Sequence, residues 1–159
     1  ADTYKALTQM AAWYRQQFSV QTVAITGSCG KTTTRALLEN ILSQTASVLA
    51  TKGNYNNHLG VPLMLMQLRE HHQFMVLELG ADSVGEIAHL TQLVQPSVGA
   101  VTLAAPAHIE TFGSLQGVAQ GKGELFEGLS DTGVAIMNRD DRFLRDRPSS
   151  LQRTSEQLR

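Results

Sequence analysis

Val23-Ala24-Ile25-Thr26-Gly27-Ser28-Cys29-Gly30-Lys31-Thr32-Thr33-Thr34 is the stretch on which the reading of the whole chain turns. Four β-prone residues lead into a glycine-rich turn, and Lys31 onward, through Arg35, Ala36, Leu37 and Leu38, begins an amphipathic helix. Strand, glycine turn and helix N-terminus follow in the order a phosphate site requires. Glycines let successive N–H groups point inward at phosphate oxygens, the helix dipole adds positive potential, and a lysine supplies a mobile charge for the outer phosphates. Gly27, Ser28, Cys29, Gly30, Lys31, Thr32 and Thr33 are therefore the candidate phosphate-binding residues, with the Thr32 hydroxyl offered to Mg²⁺. The first glycine of the general P-loop pattern is replaced by Ile25, so the match is to the shorter form T-G-x-x-G-K-T.

Working outward, the 159 residues have the size of one ordinary domain, large enough to bury a core. A hydrophobic share of 42% and a formal net charge of −1 point to a globular chain without the basic bias of a nucleic-acid binder. Cys29 is the single cysteine, which excludes an internal disulfide and fits a reducing compartment. No apolar run approaches the about 20 residues that span a bilayer, and no signal-peptide pattern opens the chain. These features predict a cytoplasmic protein.

Residues 3–18 place Leu7, Met10, Ala11, Tyr14 and Phe18 at spacings of three and four, which predicts an amphipathic helix covering the sheet edge. The P-loop helix runs to about Ser43. A short strand over 47–51 leads into the loop 52–60, and a buried helix follows Pro62. Residues 74–80 are an apolar strand interrupted by Glu78. Residues 85–95 are a helix stopped by Pro96, and 98–103 are another strand. A loop over 104–113, a helix over 114–128 and a strand over 133–137 complete the pattern. Strands alternating with helices predict an α/β fold, a mostly parallel sheet with helices on both faces in the manner of P-loop NTPases. Residues 1–141 are read as this unit and 142–159 as a charged tail, a solvated helix and then frayed chain, whose interspersed acids argue against a basic nucleic-acid arm.

In open α/β sheets ligands bind beyond the carboxyl ends of the strands. The P-loop, Asn54 to Asn57, Glu78 and His108-Ile109-Glu110 all fall there. Singly, Glu78 also suits a buried acid held by backbone donors, and His108 a satisfied loop histidine. Together, beside a Mg²⁺-nucleotide loop, they read as ligands or near-ligands of a divalent metal, the imidazole suggesting tolerance of Mn²⁺. Lys122 lies between Gly121 and Gly123 in a predicted helix. Each glycine costs about 1 kcal/mol there relative to alanine, a hint that something approaches the backbone closely. Spacing alone favours a surface lysine.

Four ordered motifs carry a resemblance: T-G-S-C-G-K-T-T, G-N-Y-N-N-H-L-G-V-P, L-E-L-G-A-D-S-V-G-E-I and A-H-I-E-T-F-G-S-L-Q-G-V-A-Q-G-K-G-E-L-F. The chain resembles the central ATPase domain of the Mur ligase family over residues 5–141, and most resembles members that add D-alanyl-D-alanine to UDP-N-acetylmuramoyl-tripeptide. The resemblance implies that Lys31 and Thr32 handle ATP phosphates and Mg²⁺, and that Glu78 and His108 help hold the metals. It further implies that Asn56 and Asn57 lie toward the muramyl substrate, and that Lys122 is the position of the family's carbamylated lysine, supporting a second metal. The implied reaction phosphorylates the tripeptide's terminal carboxylate to an acyl phosphate, which the dipeptide amine then attacks. Lys31, His108 and Lys122 are the candidate catalytic residues.

Competing readings are a diamino-acid-adding Mur ligase, a folylpolyglutamate synthase, or an ATP-binding module without ligase activity. Family ligases also carry domains for the UDP-sugar and for delivering the amine, so further ligase domains are expected in a full-length protein. The chain alone is expected not to catalyse ligation, and an unpaired edge strand is expected in its sheet.

Overall fold

A computed structural model describes residues 2–107 and 109–145 of the chain. Five strands, β1 (Gln21–Thr26), β2 (Val48–Ala50), β3 (Phe74–Glu78), β4 (Val98–Val101) and β5 (Val134–Met137), form one sheet in the order β2-β3-β1-β4-β5. Every pairing is parallel, with Val23 set between Val76 and Val98. Helix α1 (Thr3–Arg15) precedes the first strand; parallel strands require crossovers, and these are the helices α2 (Lys31–Leu42), α3 (Gly60–Leu65), α4 (Glu86–Val94), α5 (Ile109–Phe112) and α6 (Leu115–Glu127), with a last turn α7 (Arg142–Arg145) after β5.

Alternation along the strands builds two cores. Ala24, Met75, Leu77, Leu49, Val101 and Ala135 face α1, α3, α4 and α6 in the larger one. Val23, Ile25, Val48, Ala50, Val76 and Ala100 face Leu38 and Leu42 of α2 in the smaller one. Helices therefore lie on both faces, as the alternating pattern predicts. On the α2 side Leu37 and Ile41 stay exposed, as does Ile136 of the edge strand β5.

Three local readings are corrected. Helix α1 packs on α3 and α4 and so forms an outer layer over one face, not a cover for the sheet edge. Its register is set by fully buried Ala11 and by Arg15, whose buried guanidinium donates to Val94 O at the end of α4, to Phe18 O and to Thr22 Oγ1. That anchoring turns Met10 outward beside exposed Trp13, although Met10 shares the spacing of the buried stripe. The loop 104–113 contains the helical turn α5, whose Phe112 plugs into α6. The tail does open with a helical turn, α7, but that turn is not wholly solvated: Leu144 is buried, and buried Asp141 just ahead of it caps the turn by accepting from Phe143 N and Leu144 N. The remainder of the tail, residues 146–159, lies outside the described residues.

Candidate active site at the carboxyl edge of the sheet

Because all five strands run the same way, their carboxyl ends share one edge, and the connections after β1 and β3 leave to opposite faces. The crevice so formed is where an open α/β sheet binds ligands. A cavity of about 320 Å³ opens there, lined by Gly27, Ser28 and Lys31 after β1, Asn56, Asn57 and His58 after β2, Gly80, Ala81, Asp82 and Glu86 after β3, Ala107 after β4, and Lys122 of α6.

The P-loop is shaped by backbone constraints. Gly27 has φ +141°, and a Cβ there would clash with Thr102 Oγ1 at 2.0 Å, so glycine is required. Gly30, at φ +84°, starts α2 without a side-chain cap, leaving its first N–H groups for a ligand. Lys31 folds back to donate to Gly27 O at 2.7 Å, spanning the loop it would share with phosphates. Ser28 zips the loop to the segment after β4: Ser28 N donates to Leu103 O at 2.8 Å, while Ser28 Oγ donates to Ala105 O and accepts from Ala105 N. Asp141 holds the same segment from the far side by accepting from Ala104 N at 2.6 Å. Cys29 is exposed at the loop tip.

Glu78 closes β3 at 1% exposure. Its Oε2 accepts from Thr32 Oγ1 at 3.0 Å and its Oε1 from Arg35 Nε at 3.2 Å, while Thr51 Oγ1 accepts from its backbone N. A buried carboxylate oxygen aimed at a hydroxyl on the first turn of α2 is a hard-oxygen pair that suits Mg²⁺. Arg35, also bound to Glu39, is a part of the site that the sequence reading missed. Its signal was spacing, since it follows Thr32 by three residues and so shares that helix face.

Asn56 and Asn57 both reach the cavity through the turn they build. Asn57 Oδ1 accepts from Leu59 N and Gly60 N, and Asn56 O accepts from Gly80 N at 2.7 Å. Lys122, which spacing alone placed on the surface, is 3% exposed. Its Nζ donates to Ala81 O at 2.9 Å and sits over the Phe112 ring. Burial first, then repulsion from Lys31, lowers its pKa from 10.5 to about 8, against the pull of Asp82, Glu86 and Glu124. The close approach hinted at by the flanking glycines is Phe112, whose ring would meet a Cβ on Gly121 at 2.5 Å.

The structure thus joins Lys31, Asn56, Asn57 and Lys122 in one cavity and sets Thr32 with Glu78 beside it. His108 lies outside the described residues. Among the described residues no three His, Cys, Asp or Glu side chains converge on one point. A cation there would draw the rest of its shell from hydroxyl, phosphate or water oxygens, which is ordinary for Mg²⁺. The sequence reading passed over two further acids, Glu86, which lines the cavity, and Glu124, which braces the start of α4 behind it. Glu86 accepts from Asp82 N and Ser83 Oγ, and Glu124 of α6 accepts from Gly85 N and Ala88 N, capping α4 from a neighbouring helix.

Comparison with known proteins agrees with this geometry. The UDP-N-acetylmuramoyl-tripeptide–D-alanyl-D-alanine ligase of Haemophilus influenzae is 49% identical over 147 residues, covering 90% of this chain and 32% of that protein. A crystal structure of MurF from Acinetobacter baumannii superimposes with a TM-score of 0.92 at 42% identity, covering 96% of this chain and 34% of that one. MurF ligase from Thermotoga maritima, solved in complex with ADP, superimposes with a TM-score of 0.89 at 32% identity over 96% of this chain and 36% of that one. The chain thus spans about a third of the length of these relatives. The family model for the Mur ligase middle domain matches residues 25–157, and the chain belongs to that family.

Proposed function

We propose that the chain is the ATP-handling domain of a ligase that joins D-alanyl-D-alanine to UDP-N-acetylmuramoyl-tripeptide. The observation that carries this reading is the cavity in which a P-loop with its lysine faces Asn56, Asn57 and a buried lysine. A carboxylate is a poor electrophile, and transfer of the terminal phosphoryl of ATP to it creates an acyl phosphate whose phosphate can leave when the amine attacks. Lys31 exchanges its contact with Gly27 O for phosphate oxygens, and the free N–H groups at the start of α2 add donors to the same charge. Thr32 and Glu78 would hold magnesium, which supplies charge neutralisation for the phosphates. Asn56 and Asn57 orient the acceptor carboxylate's side of the cavity.

Lys122 is suited to carbamylation. Its lowered pKa leaves a sizeable neutral fraction near neutrality. The amine lone pair forms a bond to the carbon of CO₂ and one proton is released, leaving an N-carboxylate. The product keeps one N–H, so the bond to Ala81 O survives, and the new anion meets Lys31 by attraction where the ammonium met repulsion.

The reading is tested at two lengths. The chain itself should bind Mg²⁺-ADP in calorimetry, and Lys31→Ala should weaken that binding by about 2 kcal/mol, the size of a charge-assisted contact. Substituted for the matching segment of the Haemophilus influenzae ligase, the chain should support phosphate release that depends on UDP-N-acetylmuramoyl-tripeptide and D-alanyl-D-alanine. Turnover driven by a diamino acid instead, or no nucleotide binding by the chain, would overturn it.

A further inference from the structure

Glu78 carries an internal cation that the phosphate-loop reading does not use. Its two carboxylate oxygens are divided, Oε2 to the Thr32 hydroxyl and Oε1 to Arg35 Nε at 3.2 Å. At 1% exposure Glu78 has lost its hydration, and a buried carboxylate without a partner is strongly destabilising. Arg35 stands one turn beyond Thr32 on α2, is itself only 16% exposed, and is pinned on its other side by Glu39. The guanidinium is therefore a resident of the site, held by the helix that also presents Thr32, and it leaves Oε2 as the oxygen turned toward Thr32.

We propose that Arg35 is the fixed counter-charge of Glu78 and makes divalent-cation binding at Thr32 and Glu78 conditional on nucleotide. This rests on the reading that those two residues hold the cation of a Mg²⁺-nucleotide. A cation arriving alone meets a carboxylate already offset by Arg35, beside the positive end of α2 and Lys31. The missing negative charge has to come with the phosphates. With nucleotide present, the phosphate oxygens supply it and Oε2 completes the shell, so cation and nucleotide enter together. Arg35 also serves Glu39, so Glu78, Glu39, Arg35 and Lys31 together carry no net formal charge; without Arg35 the balance becomes −1 and the pocket would collect free cations, occupying the loop before its substrate.

The test uses Mn²⁺ as a spin probe, titrated into the chain with and without ADP and followed by the free-ion signal in electron paramagnetic resonance. The parent chain should bind Mn²⁺ far more tightly with ADP than without. Arg35→Met, which keeps the aliphatic stem, should tighten binding without ADP by about tenfold and shrink the ADP-dependent ratio accordingly, as expected for removing one neighbouring charge. Arg35→Gln, which keeps a donor to Glu78 and so protects the fold, should shift the ratio in the same direction, and Arg35→Lys should retain the parent ratio. Thermal melts followed by circular dichroism establish that each variant is folded. An unchanged ratio in Arg35→Gln, or an equal shift in Arg35→Lys, overturns the counter-charge role while leaving the functional reading intact. Absence of Mn²⁺ binding by the parent chain even with ADP overturns both.

Discussion

Buried beside Lys31, the Lys122 amine sits where its neutral form gains on its ammonium. Folding disfavours its ammonium form, so its pKa falls from 10.5 to about 8. The sign follows: the cost of burying the charge is present in full below pH about 8 and fades as pH rises toward 10.5, so Lys122→Met should stabilise the chain most in the acidic part of that range. Melting temperatures of the two proteins across this window check it, the gap narrowing as pH rises. At fixed dissolved ¹³CO₂, the carbamate signal should grow as pH rises through about 8, because the neutral amine is the reacting form, and Lys122→Arg should give none. Neither the burial nor the shift was legible in spacing. A lysine between glycines reads as a weak surface helix until Phe112 is known to cross it, and Phe112 lies in a stretch whose periodicity is that of a loop.

Among the elements, α6 is where close packing and chemistry meet. Phe112 O and the Phe112 ring lie where Cβ atoms on Gly117 and Gly121 would project, so α5 is seated in a notch cut by glycine. Gly121→Ala should destabilise the chain by about 1–3 kcal/mol, the range for forcing extra atoms into a packed contact. Phe112→Leu should recover part of that loss when combined with it, as denaturant melts of both singles and the double would show; strict additivity would mean the ring is not the obstacle. The strands and long helices were readable because each has a strong period and a clear stop, such as Pro96 after α4. The connections were less so. Glu124 caps α4 across a helix pair and Arg35 reaches Glu78 from another element, and partnerships between residues far apart in sequence leave no local pattern.

Across the whole molecule, polar function is confined to one edge of the sheet while the opposite end is held by Arg15 and the close of α4. The sheet itself could be inferred from alternation alone, and the position of the P-loop at its carboxyl edge followed from topology. The exposure on the face left to α2 could not, since nothing local to Leu37, Ile41 and Ile136 marks them as the apolar residues that stay exposed on that side among the described residues. The segment after β4 is stitched on two sides. Ala104 N and Ala105 N belong to no strand, yet both are engaged, one by Asp141 and one by Ser28. Their protons should therefore exchange with solvent as slowly as those of the sheet, on the timescale of local unfolding. Ser28→Ala should speed exchange at Ala105 while Ala104 keeps most of its protection, as deuterium uptake by NMR would show. Because the Ser28 hydroxyl belongs to the phosphate loop, a ligand that stills that loop should slow the same proton further, so that an amide on a neighbouring connection keeps time for the occupancy of the site.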